Sequence, residues 1–468
     1  DMDVNERLEY LDREYLSDFD VSDVDIHANI ERQAAFDKPV YETKPYAITE
    51  DESLEDNTYL SYNAVIGTSV DAKLYLAFQI LDYALVMTPG APVKQALLDA
   101  GISTDVYSSY ETSLSQPVYS IVAKNSNSKE QDRFVSVIND TLEKLVKDGI
   151  NERTIEAGIN YYEFKYREAD YGPYPKGLMY YLTMMDSWLY DETKPFIHIE
   201  AGDTFDELKK NARNGYFEKL IKEYLLDNNH KSIISLVPEY GLEKEKEQKE
   251  ADKLAEYKST LTNDELEELV KKTKELKEYQ DTPSSQEDLE KIPMLELSDI
   301  KREPAKDYND VKSVDGIKIV HHNIFTNKIA YINMSFDTKC VPDELIPYMG
   351  LLGSTLSLMD TKNYTYPELT NEININCGGL ATGTALYSDK VDFSKNTIVY
   401  EVKSKALYEK VPFVLGMMEE IMYNTRFDDY KRLKEIIARI KSRLEASLMG
   451  QGHSIAMLEC CAQFSESA

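Results

Sequence analysis

The pattern of apolar and polar residues predicts one arrangement of strands and helices that occurs twice along the chain. The first copy runs as strand, helix, short helix, two strands and two helices, at residues 59–66, 71–87, 92–100, 105–112, 117–124, 128–149 and 151–170. The same order recurs at residues 329–336, 343–359, 366–375, 380–388, 396–403, 405–423 and 428–449. The recurrence of one order at nearly constant spacing indicates an internal duplication of a unit with an antiparallel sheet.

A highly charged segment separates the two copies. Residues 242–279 are rich in Glu and Lys with widely spaced apolar residues, which predicts a helical hairpin exposed over most of its surface. Thr262 with Glu265 has the spacing of a capping box that begins the second arm, and Ser128 with Gln131 has the same spacing before a helix of the first copy.

These elements define the domain organisation that we expect. Residues 1–40 form a connector from a missing N-terminal unit, 41–238 a first domain, 239–291 the hairpin and 292–468 an incomplete second domain. The predicted fold class is α+β, with two related domains, each an antiparallel sheet covered by helices.

The two copies end differently. The first continues through helical segments at 179–188 and 203–226 and finishes with a strand at 231–237, whereas the second stops inside a helical stretch at 454–464. A sheet without its closing strand exposes an edge. We therefore expect that the polypeptide is cut at its C-terminal end or completed by another chain.

The charge balance limits the classes of partner. The chain has 53 Lys and Arg against 84 Asp and Glu, a net charge of -31. That field repels nucleic acid and anionic membrane surfaces, so we expect neither as a partner. This acidic excess either attracts basic peptides or is simply that of a solvated acidic surface. Four cysteines make no disulfide framework, and a cytoplasmic location is expected.

A catalytic centre is not apparent. None of the six histidines lies in a His-x-x-Glu-His frame, which would place two zinc ligands on one helix face. His321 and His322 are neighbours in a predicted strand and point to opposite faces. His198 and Glu200 would share one face of a strand, and we interpret them as ordinary surface. We predict no catalytic residue, metal ligand or cofactor in this chain.

Two features suit the binding of an extended chain. The 34 tyrosines either fill the sheets or line a cavity wall that contacts peptide. Before the helix that begins at Pro92, the small residues Gly90 and Ala91 leave the backbone accessible, and the helix N-terminus attracts negative or polar groups. The alternative for this loop is a tight connection between two helices.

Four stretches resemble the presequence-protease and falcilysin branch of the insulinase (pitrilysin) family of zinc metalloproteases. They are residues 87–105, the hairpin after the strand at 231–238, the run at 292–300, and Cys377-Gly378-Gly379-Leu380. The resemblance implies a parent of four such units that close around a chamber, with zinc in the first unit. This chain matches the second unit, the hairpin and most of the third.

The resemblance implies that the parent is a zinc-dependent endopeptidase that degrades short unstructured peptides, with zinc activating the attacking water. This chain would supply chamber wall, substrate anchoring and hinge, but no catalytic group. Its partners would be peptide substrates and the missing first and fourth units. The alternative is a family member without a zinc site that acts as a non-catalytic binding or partner subunit.

One binding role is also implied by the resemblance. In insulin-degrading relatives, the loop and strand of the second unit anchor the N-terminal end of the substrate by strand addition. The matching positions here are Pro89, Gly90, Ala91, Val106, Tyr107 and Ser108. Thr88 and Ala91 depart from the glycine and serine that are usual there.

We predict that the purified chain retains no stoichiometric zinc after dialysis and cleaves no peptide, because its sequence has no paired ligand spacing. Elemental analysis and peptide turnover with and without chelator test this, with a zinc-motif member of the same family as the positive control. One equivalent of zinc, or chelator-sensitive cleavage, would contradict the prediction.

Overall fold

The computed structural model describes residues 3–20, 31–292, 294–300, 302–303, 308–392 and 395–465. The chain divides into two compact units, Asp1–Ala35 and Phe36–Ala468. In the first unit, α1 (Val4–Glu14) is capped by Asp3, whose side chain accepts a hydrogen bond from the Asn5 N–H at 2.9 Å. Residues 1–2 and 21–30 of the predicted connector, and Pro293 of the run at 292–300, lie outside the described residues.

The first sheet of the second unit ends at an unpaired edge. Five strands form it within the described residues: β1 (Val40–Ile48), β2 (Thr58–Val65), β3 (Asp105–Glu111), β4 (Val118–Ser126) and β5 (Lys231–Tyr240). Their order is β1-β5-β2-β4-β3, so β3 is an edge strand. Neighbours are antiparallel except that β1 runs parallel to β5, so the predicted α+β fold with antiparallel sheets is confirmed and one parallel strand is added to it. Most of β1 is exposed and lacks the alternation that identifies a strand.

Helices cover one face of this sheet. They are α2 (Ala72–Asp82), α3 (Pro92–Asp99), α4 (Gln131–Asp148), α5 (Glu152–Glu168), α6 (Lys176–Trp188), α7 (Gly202–Asn211) and α8 (Tyr216–Leu220), with π-helical turns at Tyr83–Met87 and Ile221–Leu226. Burial alternates along β2, so Leu60 and Tyr62 join the core with Phe78 of α2 and Phe134 of α4. Among the described residues, the helices that contribute to this core all lie on that one face.

One described stretch, Ala72–Asp99, has the length and composition of a membrane span. Of its apolar window, 67% is buried inside the protein. The stretch is also broken between α2 and α3, and both helices contribute side chains to the core. Core packing therefore accounts for its apolar composition.

The charged hairpin forms as predicted. Its arms are α9 (Leu242–Thr260) and α10 (Asn263–Asp281), and neither arm buries a residue. The capping box is present, because the Thr262 N–H donates to Glu265 Oε2 at 2.8 Å and the Glu265 N–H donates to Thr262 Oγ1 at 3.3 Å. The short α11 (Gln286–Glu290) follows.

The second domain repeats the order of the first. Its strands are β6 (Asn309–Val314), β7 (Ile317–His322), β8 (Ile329–Asp337), β9 (Leu380–Ser388) and β10 (Asn396–Leu407), and its helices are α12 (Ile346–Thr355), α13 (Tyr366–Asn376), α14 (Val411–Asn424), α15 (Tyr430–Gly450) and α16 (Gly452–Ala462). In the described residues β6 pairs with β7, and the antiparallel order β8-β10-β9 matches β2-β4-β3. The predicted duplication is confirmed in element order and strand order.

Two local predictions are wrong. The capping box at Ser128 does not form, because a 3-10 turn occupies Ser128–Glu130 and the Gln131 side chain donates to Ser235 Oγ at 2.8 Å instead. The helix predicted from residue 405 begins only with α14, since β10 continues to Leu407. Lys405 therefore belongs to a strand, and its ammonium bonds Glu168 at 2.6 Å.

The two duplicated domains pack directly against each other through α5 and α13. Gly378 lies so close to the Phe164 ring that a Cβ atom at this position would overlap the ring. The Asn374 side chain donates to the Tyr83 hydroxyl at 2.6 Å across the same interface. This packing places α15 of the second domain beside β3 of the first.

Two glycines of α12 provide a matched test of packing. A Cβ on Gly353 would lie 2.9 Å from Gly383 Cα and 3.0 Å from the Thr382 carbonyl oxygen, whereas a Cβ on Gly350 would meet nothing within 4 Å. We predict that Gly353→Ala lowers the free energy of unfolding by about 1–3 kcal/mol, because the β9 backbone must shift. Gly350→Ala should be neutral or stabilising by up to about 1 kcal/mol. Urea unfolding measures both, and equal effects would contradict the prediction.

Candidate functional site

The direction of the backbone groups in β4 follows from one hydrogen bond at its start. The Ile66 N–H donates to the Pro117 carbonyl at 2.8 Å, so position 117 faces β2. Successive residues of a central antiparallel strand bond alternately to its two neighbours. The backbone N–H and C=O groups of Tyr119 and Ile121 therefore point toward β2, and those of Val122 point toward β3.

The register then identifies the free backbone groups of β3. Tyr107 pairs with Val122, so its N–H and C=O point toward β4. The N–H and C=O groups of Val106, Ser108 and Tyr110 point away from the sheet. In the described part of the chain, β3 pairs only with β4. The outer edge of β3 thus offers alternate donors and acceptors to an added strand.

The side chains of β3 attach it to the helix layer on one face. Val106 is fully buried in the core beside α2 and α3. Ser108 and Tyr119 both hydrogen-bond the Asp82 carboxyl, with the Tyr119 hydroxyl donating at 3.0 Å. Burial raises the pKa of Asp82, and these two hydrogen bonds oppose the rise. The strand is therefore held rigidly although no described strand pairs with its outer edge.

Tyrosine rings occupy the face of the sheet opposite the helices. Tyr107 is 43% exposed there. Tyr59 contacts Tyr46 edge-on, with ring centroids 5.8 Å apart, and the Lys124 ammonium lies 5.9 Å from the Tyr59 ring centroid. Burial raises the pKa of Tyr46 to about 12, so its hydroxyl stays protonated and donates to the Asn57 carbonyl. Of these rings only Tyr107 is on β3, next to the position of an added strand, whereas Tyr59 on β2 and Tyr46 on β1 lie further across the sheet.

The loop before α3 is less open than its small residues predict. Gly90 has a φ of +73°, and a Cβ there would lie 2.7 Å from Pro367 Cγ and 2.8 Å from Tyr366 Cε2 of the second domain. Ala91 is 3% exposed. The expectation that Gly90 and Ala91 leave the backbone accessible is therefore wrong for Ala91, which is buried, whereas Gly90 is half-buried beneath Tyr366 and Pro367.

A cavity of about 590 Å³ lies between α3, the first residue of β3 and α15. Its lining includes Pro89 and Gly90 of the loop, Asp105 of β3 and Arg439 of α15. Of the six predicted site residues, Pro89 and Gly90 reach this cavity. Val106, Tyr107 and Ser108 lie on the strand that starts at its wall. The loop and the strand therefore both border the cavity. The loop does so with Pro89 and Gly90, and the strand does so only with its first residue, Asp105.

The histidines form no metal centre. Within the described residues, no group of three His, Cys, Asp or Glu side chains is arranged to hold a metal. His198 lies in a turn rather than a strand, is 7% exposed and stacks on Tyr75 with centroids 3.9 Å apart. Its Nε2 lies 2.8 Å from the Ser69 carbonyl, and burial lowers its pKa. The interpretation of His198 and Glu200 as ordinary surface on one strand face is therefore wrong for His198.

Two family models match the chain. One is "Peptidase M16 inactive domain", over residues 1–162, and the other describes the region associated with subfamily C of the M16 peptidases, over residues 236–468. This chain belongs to the M16, or insulinase, family. It is 40% identical to Protein HypA of Clostridium perfringens over 97% of this chain and 46% of that protein. It is 30% identical to Presequence protease 1, chloroplastic/mitochondrial, of Arabidopsis thaliana over 95% of this chain and 41% of that protein.

This M16 chain spans less than half the length of these curated relatives. Its overlap with crystalline pitrilysin covers 87% of this chain and 40% of that one, with 14% identity and a TM-score of 0.39, too distant to add to the assignment. The matched model at residues 1–162 is that of an inactive domain. M16 peptidases depend on zinc, but the described residues of this M16 chain do not fit a zinc site, and the sequence has no His-x-x-Glu-His motif.

The basic residues around the cavity were missed by the sequence argument. Lys94 stands alone in an apolar helix, and Arg432 and Arg439 lie on α15, far away in the sequence. One signal was available, because α15 is locally basic in an acidic chain. That excess indicates a charged surface but not the partner that it faces.

Lys94 gives the cavity a measurable pH dependence. Burial, followed by the charge of Arg439, lowers the pKa of Lys94 to about 8. The unfolded chain then binds more protons between about pH 8 and the usual lysine value of about 10.4, so stability rises with pH there. We predict that Lys94→Met raises the free energy of unfolding at pH 7 by up to about 3 kcal/mol and that this gain shrinks above pH 8.

Urea unfolding at several pH values tests this prediction. The control is Lys441→Met, which removes an exposed lysine of α15 that lies 3.7 Å from Glu445. The control should differ little from the original chain. A gain for Lys94→Met that does not change between pH 7 and 10 would show that the buried charge is not its cause.

Proposed function

We propose that this chain is the non-catalytic central part of a presequence-protease-like M16 peptidase and that it binds extended peptide along the edge of β3. The observation that carries the proposal is the row of outward N–H and C=O groups at Val106, Ser108 and Tyr110. A peptide added there forms main-chain hydrogen bonds whatever its side chains are. Such binding suits an enzyme whose substrates are unstructured peptides of varied sequence.

The surroundings of the edge favour basic and aromatic peptides. The net charge of -31 attracts cationic chains over long distances. Side chains that alternate onto the open face of an added strand would meet Tyr107, which is 43% exposed on the neighbouring strand. Arabidopsis presequence protease 1 is a relative whose name states that it acts on presequences.

We propose that the zinc site lies outside this chain, in the first unit of the parent. This chain would form part of the chamber wall, since α5 and α13 hold its two domains together. The α9–α10 hairpin buries no residue and would act as the hinge between the halves of the parent. All four cysteines are free, which supports the expected cytoplasmic location.

The second candidate is a family member without zinc that binds peptide or a partner without cleaving. It shares the β3 edge and differs only in what the rest of the parent contains. The reading frame upstream of residue 1 separates the two candidates, because the peptidase requires a His-x-x-Glu-His unit there.

The test of strand addition uses position 108. Ser108→Pro removes an outward N–H and leaves the bonds to β4 in place, because proline is tolerated where the N–H faces solvent. We predict about tenfold weaker binding of a fluorescent, extended basic peptide, since a bound donor is lost. Ser108→Ala removes only the hydroxyl and should bind like the original chain.

Fluorescence anisotropy measures the affinities, and thermal unfolding verifies that both variants are folded. Tyr107→Pro is unsuitable, because its N–H bonds to β4 and its loss damages the sheet itself. Equal affinities of Ser108→Pro and Ser108→Ala would contradict strand addition at β3.

A further inference from the structure

We propose that the cavity between α3 and α15 binds the C-terminal carboxylate of a peptide that lies antiparallel to β3. This inference rests on the proposed function, because the peptide must occupy the β3 edge. It assigns a direction to that peptide and a chemical group to the cavity.

The lining of the cavity is basic, whereas the chain as a whole is acidic. Basic side chains outnumber acidic ones by six to four, and the basic residues are Lys94, Lys129, Lys431, Arg432, Lys434 and Arg439. The chain as a whole carries a net charge of -31. A basic lining within an acidic chain is a local feature that attracts an anion at short range.

Two buried or half-buried cations of this lining have no carboxylate partner within 4.0 Å in the described part of the chain. They are Lys94, which is 9% exposed, and Arg439 on α15. Glu435, by contrast, is already bonded by Arg432 at 3.2 Å, and Glu130 by Arg133 at 3.2 Å. Buried or half-buried cations are costly unless an anion neutralises them. The arrangement therefore lacks an anion that a ligand can supply.

The guanidinium group of Arg432 is fixed by its contacts. Only 7% of this residue is exposed, its Nε donates to the Leu358 carbonyl at 3.2 Å, and its guanidinium lies 4.0 Å from the Tyr366 ring centroid. Its Nη2 is buried without a hydrogen-bond partner in the described residues. The charge of Arg432 is paired with Glu435, so what this residue offers a ligand is the fixed Nη2 donor, which need not be reoriented when an anion binds.

The position of the cavity selects a peptide terminus. Asp105 is the first residue of β3 and lines the cavity. A strand that runs antiparallel to β3 has its C-terminal end at this point, where residues of α15 also line the cavity. Lys94 of α3 lines the same cavity as Asp105 and brings its ammonium group to this end of β3.

The opposite orientation is disfavoured by charge. A strand parallel to β3 would bring its terminal ammonium group beside Lys94 and Arg439, which repel it. Two carboxylates oppose this selection, Asp105 in the lining and the buried Asp82, which also interacts with Lys94, but Arg439, Arg432 and Arg443 add positive charge around Lys94. The resemblance to insulin-degrading relatives implied that the N-terminal end of the substrate is anchored here. The lining of this chain favours the C-terminal end instead.

The experiment compares two forms of one peptide. An N-terminally labelled, extended peptide with uncharged side chains is prepared with a free C-terminal carboxylate and with a C-terminal amide. We expect the carboxylate form to bind about tenfold more tightly, as one charge-assisted hydrogen bond provides. Lys94→Gln and Arg439→Gln should each reduce this preference, and the double variant should remove it. Lys441→Gln, an exposed position of α15 outside the cavity, should leave it unchanged.

Two further measurements identify the interaction. The preference for the carboxylate should fall as pH rises through about 8, because Lys94 then loses its proton. Acetate should compete with the carboxylate peptide more than with the amide peptide. Circular dichroism verifies that each variant is folded. If Lys94→Gln does not fold, Arg439→Gln, at a half-exposed position, still tests the cavity.

The outcomes separate this inference from the proposed function. Equal affinities for the two peptides, or a preference that survives in the double variant, would overturn the carboxylate site. If Ser108→Pro still weakens both peptides in that case, strand addition stands. A preference that depends on Lys94, with affinities unaffected by Ser108→Pro, would leave an anion site in the cavity but overturn both strand addition and the antiparallel direction assigned to the peptide. Absence of binding by either peptide would reject both.

Discussion

The contact between Gly378 and the Phe164 ring fixes the spacing of the two duplicated domains. Without a side chain at position 378, α13 approaches α5 closely enough for polar bonds such as that between Asn374 and Tyr83 to form. The same approach seats Tyr366 on Gly90 and brings α15 beside β3. The cavity exists only because these elements are held at this distance.

The free edge of β3 follows from how the first sheet is closed. On its other side, β5 and β1 continue the sheet, and the parallel pairing of β1 extends it further. Nothing in the described residues continues the sheet beyond β3, although unpaired edges promote association with other chains. Packing of Val106 in the core and the hydrogen bonds at Asp82 keep this edge ordered. An ordered edge binds an extended chain at a lower entropic cost than a mobile one.

Charge acts at two ranges in this molecule. The acidic excess of the whole chain acts over distances near the Debye length and is weakened by salt. The basic lining of the cavity acts at contact distances, where burial reduces screening. A cationic peptide with a free carboxylate satisfies both fields, because its side chains meet the acidic surroundings and its terminus meets Lys94 and Arg439.

Local sequence patterns determined much of the fold. The order of the duplicated elements, the exposed hairpin and the Thr262 capping box each depend on residues a few positions apart, and all are present. Where a local pattern competed with a distant partner, the distant partner prevailed. Gln131 bonds Ser235 instead of completing a cap, and β1 pairs with β5 despite its exposed pattern.

The site was less accessible to sequence. The loop and strand of the predicted binding site lie near one cavity, but their backbone directions required the register of β4, which no residue of β3 encodes alone. Lys94 and Arg439 were not paired by any spacing, because they come from different domains. Periodicity along a chain reports which face of an element is buried. Which charges share a cavity depends on how separate elements pack, and only the tertiary structure decides that.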